Sequence, residues 1–323
     1  PTATVLGILR RTAILSRGAR GDAVRAVQQQ LACGIDIGND GEQPREGFFT
    51  YVRYRMSGFG GEGARPPAKD VATYPTFREL FQGHARKSLH TSPPRAIGAV
   101  RYLSREALDQ EMAQYRQVLD EQPRRFVESF WTAPSPGIVA SGMQNDYYAS
   151  MPEYINAVAD ALKTEYEAIA ARGMVLQIDA PDMAMERRRL FADRSLSEFL
   201  EFLDITIAAI NRALANVPRE QVRLHVCWGN YEGPHNFDVP LEDLLRAFVP
   251  SARGRGGAVD GESAPRARAS LLDQIPVAAR LASGGRRHRH HHQLRRAPAS
   301  GSRPHRIGRA SRRRPAPRTG RHR

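Results

Sequence analysis

Met174-Val175-Leu176-Gln177-Ile178-Asp179 is a short apolar run that ends on an acid, and its flanks decide the fold. Before it, residues 152–172 carry Ile155, Val158, Leu162 and Tyr166 on one helical stripe. Gly173 suits the left-handed residue that closes such a helix. After it, Leu196, Phe199, Leu200, Leu203, Ile207, Ile210 and Leu214 repeat the helical spacing, and Gln221 to Cys227 alternates like a strand. Strand, helix, strand in this order predicts right-handed βαβ units on a parallel sheet.

The same alternation extends upstream. Val24, Val27 and Leu31 share a helical face over Asp22 to Leu31, and Gly34 stops it. Ile35-Asp36-Ile37 then reads as a short strand running into the turn Asn39-Asp40-Gly41-Glu42. Residues 104–119 read as a helix and Phe126 to Trp131 as a strand. The expected fold is α/β, a (β/α)8 TIM-barrel-like domain over residues 21–249, preceded by an atypical stretch at 1–20.

Residues 251–323 are chemically different. They hold 19 Arg, no Lys, three acids and six His, a net charge of +16, and no Phe, Tyr or Trp. The remaining 250 residues balance 31 acids against 29 basic side chains, so the +14 of the chain belongs to this tail. A segment so poor in apolar groups cannot offset its ordering entropy and is expected to be disordered. Its arginines could bind nucleic acid by counterion release, the alternative function class. Arg without Lys, with Ala, Gly and Pro, is also what GC-rich DNA encodes out of frame, and a frameshifted C-terminus is the expectation here. The first 21 residues hold several Arg and no acid, which fits a presequence or a damaged start.

No run of 18 apolar residues exists, so no transmembrane helix is expected. Cys33 and Cys227 lie far apart in sequence, which suits reduced thiols in a cytoplasmic enzyme better than a disulfide framework.

In a parallel α/β sheet, polar residues at the C-terminal strand ends build the active site. Three such ends carry chemistry: Asp40 and Glu42; Asp179 and Asp182; His225 and Cys227. Residues i and i+2 of a strand share a face, so His225 and Cys227 present an imidazole and a thiol together, ligand types that zinc prefers. Glu42 has an ordinary alternative, capping a helix that begins near Pro44.

These three segments, Gly34 to Gln43, Val175 to Asp182 and Arg223 to Leu241, resemble the cobalamin-independent methionine synthase family, in its single-barrel relatives. The resemblance covers about residues 21–249. It implies transfer of a methyl or alkyl group to a thiol such as homocysteine, from a folate-like donor. It further implies Zn2+ held by His225 and Cys227, with Glu42 and Asp179 binding the substrate's ammonium. It assigns no residue of this chain a catalytic role beyond these. The chain also departs from the family. No cysteine follows Cys227, although further ligands are expected after Leu245, with Glu232 and His235 as the nearest local substitutes. A His-Val-Gly-Ser-Leu-Pro-like opening run is absent from Pro1 to Arg20. The expectation is an incomplete barrel lacking its last two strands, and impaired transfer.

Overall fold

The computed structural model describes residues 18–85, 93–229, 233–248 and 280–282. Its main sheet has five strands: β1 (Ile37–Gly38), β4 (Glu128–Pro134), β5 (Val175–Asp179), β6 (Val222–Cys227) and β7 (Arg280–Ala282), in the order β1-β4-β5-β6-β7. Every pairing is parallel. The result is a mixed α/β fold with a curled parallel sheet, a half-barrel. Three residues of the arginine-rich tail thus form the edge strand beside β6; the rest of 251–323, including the arginines of the nucleic-acid reading, lies outside the described residues.

Helix α1 spans residues 18–32, and Gly34, at φ 75°, turns the chain toward β1. β1 forms later than Ile35 to Ile37 suggested. Ile35 and Ile37 stay partly exposed, and only Ile37 and Gly38 lie alongside β4. Phe126 packs against Gly38 so closely that a Cβ there would sit 2.2 Å from its ring. That aromatic therefore covers β1, and β4 begins two residues later than expected.

An excursion separates β1 from β4. It holds an antiparallel pair, β2 (Phe59–Gly60) and β3 (Arg95–Ala96), and helices α2 (Lys69–Thr73) and α3 (Pro75–Ala85). One glycine of this region is required: Gly58, at φ 86°, lies where a Cβ would meet the Gly98 carbonyl at 2.5 Å. Helix α4 (Glu106–Asp120) leads into β4.

The excursion is tied to the domain by buried charge. Arg55 reaches Glu165 at 2.7 Å and also pairs with Glu111, while Arg45 reaches Glu111 at 2.9 Å. The Tyr51 and Tyr102 hydroxyls donate to Glu165 at 2.6 and 2.9 Å. Burial alone would push the Glu111 carboxyl up, but Arg45 and Arg55 outweigh it and hold it below its ordinary range.

The short α5 (Pro136–Gly142) packs against α6 (Met151–Ala170), and the single turn α7 (Asp182–Met185) follows β5. Helices α6 and α8 (Leu196–Ala213) pack on each other beside β5 and β6. Ile155, Val158, Leu162, Tyr166 and Ile169 of α6 are fully buried, as are Phe199, Leu203 and Ile210 of α8. Each such side chain contributes roughly 1.5–3 kcal/mol by leaving water. Ser195 and Glu198 form a reciprocal capping box that starts α8. Among the described residues no helix is long and apolar enough to cross a membrane.

Candidate metal and substrate site

Strand β6 alternates strictly. Val222, Leu224 and Val226 are buried, while Arg223, His225 and Cys227 stand on the opposite, half-buried face. On β5, Leu176 and Ile178 are buried, and Gln177 and Asp179 share the other face. Parallel pairing sets Gln177 beside Arg223 and Asp179 beside His225. The inner face of the half-barrel therefore carries a polar row.

Within that row His225 Nδ1 lies 2.9 Å from Asp179 Oδ1, and Cys227 stands two residues along on the same strand face. Asp179 first, and then Cys227, raise the His225 pKa to about 10 against the opposing effect of burial. Gln177 Nε2 donates to the same Asp179 oxygen at 2.8 Å. With Nδ1 committed to a carboxylate, Nε2 is the nitrogen left for a metal, the usual arrangement of a ligating histidine. His225 and Cys227 fit as two donors of a tetrahedral zinc site. Among the described residues no cluster of three or more His, Cys, Asp or Glu side chains could hold a metal.

Glu42 arrives from the turn after β1. Asn39 Oδ1 accepts from Gly41 N at 3.0 Å and Asp40 Oδ1 from Glu42 N at 2.9 Å. Gly41 and Glu42 both adopt left-handed backbone, at φ 71° and 59°. Glu42 alone among the described non-glycine residues does so, a strain that marks functional turns. No helix begins at Pro44, so the capping alternative fails. Glu42 Oε1 instead accepts from the Thr132 hydroxyl on β4 at 2.5 Å, and Arg45 Nη1 donates to Thr132 O and Oγ1 at 2.8 and 3.0 Å. Burial raises the Glu42 pKa; Thr132 and Arg45 oppose the rise, and the charge of Asp179 adds to it. The Asp179 charge thus reaches Glu42 from the far side of β4.

The other rim residues serve elsewhere. Asp40 is buried, and its pKa rises to about 6, first from burial and then from Glu111. Asp182 accepts from Ser135 Oγ at 2.6 Å beneath the sheet end. His235 Nδ1 pairs with Asp238 at 2.9 Å, and Asp238 with Arg188 at 3.3 Å. Glu232 lies outside the described residues. Sequence reading missed Thr132, Arg45 and Gln177. Thr132 and Gln177 had a signal: each is a polar residue inside an apolar strand run.

The model of the family described as "Cobalamin-independent synthase, Catalytic domain" matches residues 11–239. A methionine synthase of Sulfolobus acidocaldarius is 23% identical over 234 residues, covering 70% of this chain and 56% of that protein. A solved structure of a B12-independent methionine synthase from Shewanella sp. W3-18-1, in complex with selenomethionine, aligns with TM-score 0.49 and 20% identity, over 67% of this chain and 54% of that one. The chain spans little more than half the length of either relative.

Proposed function

Because the chain belongs to the cobalamin-independent synthase family, we propose that its half-barrel end is the site of a zinc-dependent transfer of a methyl or alkyl group to a thiol, homocysteine or a close analogue, from a folate-like donor. The supporting observation is the Asp179–His225 hydrogen bond, with Cys227 on the same strand face as His225 and the Asp179 charge raising the Glu42 pKa. His225 and Cys227 would hold the zinc, whose chemistry is to lower the pKa of a coordinated thiol so that it reacts as thiolate at neutral pH. Asp179 holds His225 Nδ1 and fixes the ring. Glu42 and Asp179 together offer two carboxylates to the ammonium of an amino-acid thiol, a charge-assisted grip that orients the sulfur. The place of action is the cytoplasm, where Cys33 and Cys227, both free thiols, stay reduced.

Two expected outcomes follow from these roles. Zinc uptake by the purified full chain should fall at least tenfold in Cys227→Ser and in His225→Gln, measured by chelator competition. With the two donors that the described residues supply, wild-type affinity should lie below that of four-ligand sites. Zinc bound equally by wild type and both variants would sink the metal assignment. Turnover of methylated folate and homocysteine should be slow for the same reason, and brisk turnover would refute the impairment.

The second concerns Glu42. Glu42→Gln should weaken homocysteine binding by about 1.5–3 kcal/mol, the worth of a hydrogen bond to a charged group, roughly ten- to a hundredfold. Calorimetric titration checks it against a thiol lacking the amino group, such as 2-mercaptoethanol, for which the variant should match wild type. Equal losses for both thiols would remove Glu42 from ammonium binding.

A further inference from the structure

Arg223 Nε donates to Gln177 Oε1 at 2.8 Å, and the Arg223 guanidinium lies 3.7 Å from the centre of the Phe130 ring. A guanidinium can only donate, so it claims the oxygen of the Gln177 amide. The amide NH2 is thereby turned along the strand to Asp179 Oδ1, at 2.8 Å. That oxygen already accepts from His225 Nδ1 at 2.9 Å. The hydrogen bonds zigzag between two neighbouring rungs of the β5–β6 ladder, Gln177 beside Arg223 and Asp179 beside His225. Both bonds to Asp179 fall on Oδ1, and no hydrogen bond engages its Oδ2 among the described residues.

We propose that Gln177 and Arg223 are positioning residues: Arg223 orients the Gln177 amide, Gln177 fixes the Asp179 carboxylate, and Asp179 in turn presents His225 to the metal and its own second oxygen to the substrate ammonium. The proposal deepens, and rests on, the zinc and thiol reading above. It accounts for one carboxylate serving two tasks. Without Gln177, Asp179 can rotate about its side-chain bonds and satisfy His225 or the ammonium, but not both at once. Without Arg223, the Gln177 amide can flip and set its oxygen against the Asp179 carboxylate.

Two readouts on the full chain separate the relay from the metal reading. In the metal-free protein, the His225 Nδ1 proton should give a downfield, exchange-protected imidazole resonance in proton NMR, identified by its loss in His225→Gln. Gln177→Met and Arg223→Met should shift or broaden it, while Arg223→Lys, which keeps a donor, should retain it. No such resonance in wild type, or one unmoved in both Met variants, overturns the relay. In the second readout, Co2+ is titrated as a spectroscopic stand-in for zinc, and the thiolate-to-metal charge-transfer band is followed. Gln177→Met should keep the Cys227-dependent band but lose about 10- to 100-fold in affinity, the usual cost of an outer-shell partner, with its thermal midpoint near wild type. Affinity within twofold of wild type would also overturn it. A wild-type chain without a Cys227-dependent band would sink the zinc reading instead, and the imidazole resonance alone would then decide the relay.

Discussion

Arg55→Met should lower folding stability by about 3–5 kcal/mol, the cost of breaking a buried ion pair from one side. Arg55 is nearly inaccessible, and it bridges Glu111 on α4 to Glu165 on α6. Its removal leaves Glu165, wholly buried, with two tyrosine hydroxyls as partners and no cation in contact among the described residues. Glu111 keeps Arg45 at 2.9 Å. The greater part of the loss should therefore trace to Glu165. The double variant Arg55→Met, Glu165→Gln should recover much of it, because the neutral amide can accept from one tyrosine hydroxyl through its oxygen and donate to the other through its NH2. Urea unfolding of wild type, both single variants and the double variant measures the coupling. A loss under about 1 kcal/mol for Arg55→Met would mean that the cluster contributes little to stability. The same cluster gives an acid-side signature. Glu111 is held below its ordinary range, so its contribution is present above the unfolded carboxylate pKa and lost as pH falls through the folded one.

Asp182→Asn should stabilise the protein in mildly alkaline solution and leave it unchanged near pH 4. Burial first, with Glu186 adding and Ser135 opposing, raises the Asp182 pKa to about 7. The folded state therefore binds a proton that the unfolded chain releases near pH 4, and stability falls as pH rises from about 4 to about 7. Holding the ionised carboxylate in this site costs on the order of 4 kcal/mol, fully felt above pH 7. The substitution keeps the oxygen that accepts from Ser135. It also converts Oδ2, which has no hydrogen-bond partner among the described residues, into a donor near the Thr206 hydroxyl, equally unpartnered among them. Both atoms crowd Gly137, 2.1 and 2.9 Å from where its Cβ would be. Thermal midpoints from pH 4 to 8 should diverge steadily, variant above wild type. Parallel curves would show that Asp182 ionises without penalty.

The legible parts of the sequence were those whose physics is local. The stripes of α6 and α8, and the apolar runs of β5 and β6, placed four elements within one or two residues of their bounds. Strand ends were legible for the same reason: alternation fixes which side chains share a face, and His225 and Cys227 share one on β6. What escaped was set by distant partners. Glu111 and Glu165 lie on the apolar stripes of their helices, a misplaced charge that spacing reveals, but nothing in the spacing names Arg45 or Arg55 as the answer. Phe126 scanned as strand and instead roofs Gly38. The left-handed Glu42 could not be foreseen, because Asn39 and Asp40 must each accept a backbone amide before that conformation is held.

The order β1-β4-β5-β6 follows the chain, each strand docking on the one made before it. Such a sheet can assemble from one end during synthesis, each new βα unit finding its template already exposed. The candidate site does not share that early start. Glu42 leaves the ribosome long before Asp179, and Asp179 well before His225 and Cys227. Until β6 docks, Asp179 has no imidazole beside it and the proposed metal site has no donor pair. A ribosome-bound chain stalled before Val222 should hold most of its helical core yet take up no zinc, so the chemistry is born last, on a scaffold that is already standing.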